Sequence, residues 1–207
     1  MKLEVLLVIG GDYHDFYANV VKLVSEVREE YFNFEITDDM SHLNSKKLAK
    51  KDIVALYALF NHISSLNKKA LLKFVEKGGG FLGLHSANAS FLNDVEYQNF
   101  IGSKFLFHPE KQRFKVNVSK MHFITLGLKS FEIFDELYVS ECSESVNVLL
   151  EAEYQNNKVP ILYTKSYGLG KIAFFALGHD EDSILNENFI EIFIRSLKWL
   201  GKKSKNG

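Results

Sequence analysis

A chain of 207 residues, 46% hydrophobic, with 25 Lys+Arg against 26 Asp+Glu and a formal net charge of -1, has the size and composition of one ordinary globular domain with a substantial core. The balanced charge, with a pI near 6.7, gives no electrostatic reason to expect nucleic acid or an anionic membrane as partner. A single cysteine, Cys142, excludes an intramolecular disulfide framework and a cysteine-paired zinc ribbon.

Leu3 to Ile9 is a continuous apolar run, the pattern of a strand buried on both faces, and Gly10 and Gly11 end it. Glu4 and the shortness of the run suit neither a signal peptide nor a membrane span, so the expected setting is cytoplasmic. Phe16, Val20, Leu23, Val24 and Val27 recur at helical spacing and predict an amphipathic helix to about Glu30. Phe32 to Thr37 and Asp52 to Leu59 read as the second and third strands. Ser64 and Ser65 can cap a helix whose inner face is Ala70, Leu71, Phe74 and Val75, and Lys77 and Gly78 close it. Phe81 to Leu84 is a short fourth strand behind three glycines. Strand alternating with helix predicts a parallel sheet with helices on both faces.

The middle of the chain changes character. Phe105 to Phe107, Arg113 to Val118, Phe131 to Val139, Asn147 to Tyr154 and Val159 to Thr164 read as short strands joined by turns, an antiparallel excursion within the same domain. Lys171 to Leu177 returns as a buried strand, and Phe189 to Leu200 is a closing amphipathic helix. The expected fold is α/β, three-layer and flavodoxin-like, with a mostly parallel central sheet. It forms one domain over residues 1–201, followed by a polar tail over 202–207.

In an open parallel sheet, ligands bind beyond the carboxyl ends of the strands. Polar residues cluster just after the predicted strands: His14 and Asp15 after the first, His62 after the third, His85 and Ser86 after the fourth, and His179 and Asp180 after the last. His62 lies beside the capping serines and reads as structural. His14, His85 and His179 read together as a site suited to proton transfer or to a divalent metal such as zinc, although loop-borne ligands carry no local spacing signature.

The run from Lys77 to Ala87 is the most informative stretch. A glycine-rich turn feeds a strand that ends in Gly83-Leu84-His85-Ser86-Ala87, small residues flanking one projecting side chain, as a strained strand-to-helix elbow requires. Where hydrolases and amidotransferases of this architecture place Ser or Cys, the tip here is His85, an imidazole suited to acid, base or ligand work. The glycines precede the strand, so they are not a dinucleotide fingerprint, and no nucleotide cofactor is expected.

Those residues, followed by Gly102, Phe105 and His108-Pro109, then His122, Ile124-Thr125, Gly127-Leu128 and Phe131, then Asp135-Glu136-Leu137-Tyr138, Pro160, Tyr167-Gly168, Gly170-Lys171, Leu177-Gly178-His179-Asp180 and Trp199, resemble the ThuA-like (trehalose utilisation) family of the class I glutamine amidotransferase-like superfamily. The resemblance runs through nearly the whole chain. It implies a flavodoxin-like sheet with His85 where amidotransferase relatives carry Cys, which argues against glutamine hydrolysis, and Cys142 lies outside any elbow. It implies pocket residues His14, His85, His108, Glu136, Tyr138, His179 and Asp180, and an association with disaccharide catabolism. Phe123 departs from the family pattern, where Pro follows His122, and His122 reads as a turn residue.

Each assignment has a plainer alternative. Glu136 and Tyr138 alternate with apolar neighbours and would share a strand face, which could be solvent. His108 precedes a proline and is therefore extended, facing either crevice or surface. Asp180 either orients an imidazole or caps the following turn. The expected function is an enzyme acting on a carbohydrate by hydrolysis, isomerisation or elimination, with His85 and His179 as acid and base and Glu136 or Asp180 orienting them. The competing reading is a non-catalytic sugar-binding or assembly module. Self-association is expected of this class, though no stretch of sequence locates the surface.

Overall fold

The computed structural model describes residues 2–27 and 30–202. In chain order the elements are β1 (Leu3–Gly10), α1 (Phe16–Ser25), β2 (Phe32–Thr37), α2 (Ser45–Leu48), β3 (Ile53–Ala58), α3 (Ser65–Glu76) and β4 (Gly80–Leu84). A 3₁₀ turn (His85–Asn88) follows, then α4 (Val95–Ile101), β5 (Ser103–Phe107), β6 (Gln112–Val118), β7 (Phe131–Asp135) and β8 (Val139–Cys142). The chain continues through β9 (Asn147–Tyr154), β10 (Asn157–Tyr167), β11 (Gly170–Phe175), α5 (Glu181–Ile184) and α6 (Glu187–Leu200).

One sheet runs in the order β2-β1-β3-β4-β11-β10-β9-β6-β7. Its first five strands are mutually parallel. The remaining four continue it in antiparallel register. The excursion therefore extends the central sheet, while β5 and β8 pair separately. The sheet is parallel over one half and antiparallel over the other.

Alternation along the parallel strands sorts the core into two faces. Val5, Leu7, Ile9, Ala55 and Tyr57 pack with Phe16, Val20 and Leu23 of α1 and with Phe189, Ile192, Phe193 and Leu197 of α6. Leu6, Val8, Val54 and Leu56 pack on the other side with Leu71, Leu72 and Val75 of α3 and Tyr97 and Phe100 of α4. Burial of a large apolar side chain of this kind contributes about 1.5–3 kcal/mol, so these helices are held mainly by the sheet.

Among the differences from the expected elements, three concern α1, the segment from β7 to β8, and α4. Helix α1 ends at Ser25 rather than near Glu30, because the backbone N–H of Val27 turns back to the Val24 carbonyl at 3.1 Å while Val27 stays buried. The helical spacing thus outlasts the helix. The single strand expected over Phe131 to Val139 is two strands in different sheets, so Glu136 and Tyr138 lie on a crossing segment and not on a shared strand face. Helix α4, unforeseen, is capped by Asp94, whose side chain accepts from the Tyr97 N–H, and closed by Gly102 at φ +93°. Of the expected polar tail, residues 203–207 lie outside the described residues.

Candidate functional site

The sharp end of β4 sets the site. His85 has φ +45°, a left-handed conformation that a residue with a Cβ adopts only where its surroundings hold it. Gly83 permits the elbow: a Cβ there would stand 3.0 Å from both Ile101 Cδ1 and Phe174 Cδ2. Ser86 and Ser90 donate to the carbonyl of Ala58 at 3.0 and 2.8 Å and tie the turn to the end of β3. With its proton given to Ala58 and its oxygen buried, Ser86 is a structural residue rather than a nucleophile. His85 is fully buried, and its Nδ1–H donates to the Ala176 carbonyl at 3.1 Å. That bond leaves Nε2 pointing toward Glu136, 3.5 Å from Oε2.

Glu136 is the hub. Oε2 also lies 3.1 Å from Nδ1 of His179, and Oε1 lies 3.6 Å from Nδ1 of His108. The His14 ring meets those of His85 and His179 edge-on, with centroids at 5.1 and 4.7 Å. One ring nitrogen each from His14, His85 and His179 lies within 4.8 Å of the others. The contacts of Glu136 are close but poorly aligned: His85 Nε2, Glu136 Oε2 and His179 Nδ1 are buried and make no hydrogen bond in line. Buried polar atoms are ordinarily paired, so three orphans this close together mark a candidate binding point.

Asp135, which the sequence reading did not single out, holds this geometry in place. Fully buried, it accepts the backbone N–H groups of Glu136 (2.8 Å), Gly178 (2.8 Å) and His179 (3.1 Å). It thereby joins the β7 end to the loop after β11. Gly178, at φ +116°, supplies the turn, and the Tyr57 hydroxyl donates to its carbonyl. Asn19 in turn donates to the Tyr57 hydroxyl at 2.9 Å.

The electrostatics follow from burial and crowding. Burial, then the neighbouring imidazoles of His85 and His179, lower the His14 pKa to about 4, so His14 is neutral at pH 7. Burial alone would raise the Glu136 carboxyl, but its contacts with His179 and His85 outweigh that and hold it well below the usual carboxylate range. Glu136 raises His179 in return, against the opposing effect of burial. Burial pushes the Asp135 carboxyl and the Tyr138 hydroxyl up, and it raises the Cys142 thiol to about 11, which leaves that cysteine inert.

Of the residues expected from the sequence, His14, His85, His179 and Glu136 converge. Tyr138 joins them, its ring 4.2 Å from that of His85, with His108 stacked on it at 5.4 Å and 9°. Asp180 sits at the N-cap of α5, where Lys111 binds its Oδ2 and also reaches Asp182 at 2.8 Å. The carboxylate that faces the imidazoles is Glu136. His62 is exposed on the loop before α3, and His122 occupies a turn, its Nδ1 accepting from the Ile124 N–H at 3.2 Å. A cavity of about 690 Å³ opens at the amino ends of the strands between Asp52, Lys73, Lys77 and Gly79 and contains none of these groups.

Fold and site together define an α/β protein with a histidine–carboxylate cluster at the carboxyl edge of a parallel half-sheet. The chain belongs to the ThuA (trehalose utilisation) family, whose model matches residues 4–200. It is similar to the structure of a ThuA-like protein from Parabacteroides merdae, with 17% identity, TM-score 0.84, and coverage of 100% of this chain and 92% of that one. A ThuA-like protein from Bacteroides uniformis matches at 19% identity and TM-score 0.82, covering 99% and 94%. The β-galactosidase of Bacillus circulans has a similar fold at 14% identity and TM-score 0.66, over 95% of this chain but only 30% of the galactosidase. No curated protein sequence matches the chain. Among the described residues, no helix is long and apolar enough to cross a membrane.

Proposed function

We propose that this ThuA-family protein is an enzyme acting on a carbohydrate or a sugar derivative by acid–base chemistry. The observation that carries the reading is the convergence of Glu136 on His85 and His179, beside His14, with their facing polar atoms buried and unpartnered. Glu136 raises the His179 pKa, with Asp180 adding negative charge nearby, and so favours its protonated form, which suits His179 to act as the acid toward a departing or polarised oxygen. His14, neutral, is available as the base, and His85 completes the proton-handling set. The exposed His108 ring, stacked on the buried Tyr138, offers an apolar surface for one face of a sugar ring, with carboxylate and imidazoles placed to fix hydroxyls.

The strand order β2-β1-β3-β4-β11 supports a three-layer flavodoxin-like arrangement over residues 1–201, whose ligand crevice would lie beyond β1 and β3, where His14 and Tyr57 stand. The neighbours support a sugar-related setting through the trehalose-utilisation family name and the galactosidase fold match, and one similar structure, from Salmonella typhimurium, is described as a cytoplasmic protein. One observation favours a second reading, a sugar-responsive binding module: the galactosidase match spans under a third of that enzyme, so this fold occurs there as one part of a longer chain.

The test is a thermal-shift screen against disaccharides and their oxidised forms, followed by chromatographic detection of turnover for any that bind. A sugar that stabilises the protein and is converted by it, but not by His179→Ala, supports the enzyme. Stabilisation without conversion supports the binding module. No stabilisation by any sugar overturns both.

A further inference from the structure

We infer that His14, His85 and His179 hold one divalent transition-metal ion of the zinc type, with Glu136 behind them as the orienting carboxylate. The inference rests on the reading above only for the location of the site, and with the ion bound His14 and His179 are ligands rather than acid and base. A carbonyl can only accept, so the 3.1 Å contact of His85 with Ala176 puts a proton on its Nδ1. In the neutral ring Nε2 is then a lone pair, yet it faces Oε2 of Glu136 at 3.5 Å, an oxygen that also only accepts.

Two acceptors turned toward each other in a buried place need positive charge between or beside them. A proton on Nε2 would make a fully buried imidazolium with two further imidazoles at ring distances of 5.1 and 5.6 Å. A metal ion removes the conflict, because it takes the lone pairs of all three rings and offsets the carboxylate.

The donor set agrees with that ion. Imidazole nitrogens select zinc and its first-row neighbours, whereas magnesium and calcium prefer oxygen. Three protein nitrogens with an open position are the composition of a catalytic rather than a structural zinc site. His179 presents Nδ1 to Glu136 at 3.1 Å, which leaves its second nitrogen for the ion, and His85 gives Nδ1–H to a backbone carbonyl. Metal-bound histidines commonly show these two second contacts. Ligand nitrogens about 2.1 Å from a tetrahedral ion stand about 3.4 Å apart, so ligand atoms now within 4.8 Å of one another must close by up to about 1.4 Å, a movement that the side-chain torsions of His14 and His179 can supply. His14 and His179 are only partly buried, which leaves a path for the ion.

The experiment uses the full chain, stripped with a chelator and titrated with zinc by calorimetry and with cobalt by visible absorption. Expected are one ion per chain, a raised thermal midpoint, and cobalt bands of a low-coordinate nitrogen–oxygen site. His14→Ala and His179→Ala should each weaken binding at least about tenfold, and Glu136→Gln by roughly 10–100-fold. His62→Ala should bind as the wild type does. His85→Asn, which tolerates the left-handed backbone, is checked for folding by circular dichroism before titration.

The inference fails if the folded wild-type protein takes up neither ion, or if His14→Ala and His179→Ala bind both ions unchanged. The sugar screen, repeated on the stripped protein, separates the two claims. Sugar stabilisation without metal uptake overturns the ion and keeps the acid–base reading. Metal uptake at these histidines with no sugar response keeps the ion and overturns the carbohydrate assignment.

Discussion

Replacing Asp135 by Ala is the sharpest test of how the site is held. The side chain is fully buried and accepts three backbone N–H groups, from Glu136, Gly178 and His179, at 2.8–3.1 Å. An alanine leaves all three donors without a partner. Each orphaned buried donor costs about 1–3 kcal/mol, a gross loss of about 3–9 kcal/mol. Part of this is offset, because burial disfavours the charged carboxylate itself, as its raised pKa shows. A net loss of about 3 kcal/mol is expected, which for a chain of this length lowers the thermal midpoint by about 6–12 °C. Asp135→Asn keeps one acceptor oxygen but sets an amide against the Gly178 N–H or the other pair, so about half that loss is expected. Urea denaturation of wild type, Asp135→Asn and Asp135→Ala should therefore give a graded series. Both variants should also weaken ligand or metal binding, since the peptides they release carry Glu136 and His179. An Asp135→Ala protein within about 1 kcal/mol of wild type would refute the claim that this carboxylate ties β7 to the loop after β11.

Three further outcomes are expected. His85→Asn should abolish turnover or ligand binding and leave the fold intact, whereas His85→Ala should add about 1 kcal/mol of destabilisation, because alanine tolerates φ +45° less well than asparagine; equal stability of the two by urea titration would count against backbone strain at the elbow. Gly83→Val should cost about 1–3 kcal/mol through its clash with Ile101 and Phe174, and a melting curve like that of wild type would show the packing there to be loose. Glu35, bound by Lys51 at 2.8 Å and Lys47 at 2.9 Å, has its pKa lowered from 4.5 to about 2. The contribution of this carboxylate to stability is therefore complete above pH 4.5 and lost as pH falls through about 2. The group is partly exposed, so the effect is below about 1 kcal/mol, and Glu35→Gln should lower stability by that small amount at neutral pH, leave it unchanged near pH 2, and so flatten the acid dependence of unfolding.

The parallel half of the fold is legible because its signals are local. Strands β1 and β3 are unbroken apolar runs, and α3 carries its own cap in Ser64 and its own stop at Lys77 and Gly78. The three histidines were legible for a related reason: each follows a buried strand, and parallel strands deliver their carboxyl ends to one edge. What stayed hidden depends on partners far along the chain. Asp135 looks like the end of an alternating strand, and only the N–H groups of Gly178 and His179, more than 40 positions later, show why the strand stops there. Lys111 is unremarkable in sequence, yet it occupies the carboxylates of Asp180 and Asp182 about 70 positions away and leaves Glu136 as the partner of the imidazoles. Helix α4 spans seven residues, too few for a periodic signal, and is fixed by Asp94, which also pairs with Lys68 at 2.8 Å.

The elbow separates this site from one that works by a covalent nucleophile. In such a site the tip residue must present its reactive atom to the substrate, with a base beside it to take its proton. Here Nδ1 of His85 is engaged by the Ala176 carbonyl, Nε2 is buried against Glu136, and the side chain has no exposed surface. The ring cannot swing toward a bound molecule without giving up the Ala176 bond and leaving a buried carbonyl short of a donor. The strained backbone at φ +45° therefore fixes an imidazole at the floor of the site and aims it inward. An immobile floor with neutral His14 above it and an anion at its side suits a group that holds charge in place. In the proposed acid–base reading, substrate protons would reach His85 only through the residues nearer solvent, His14, His108 and His179.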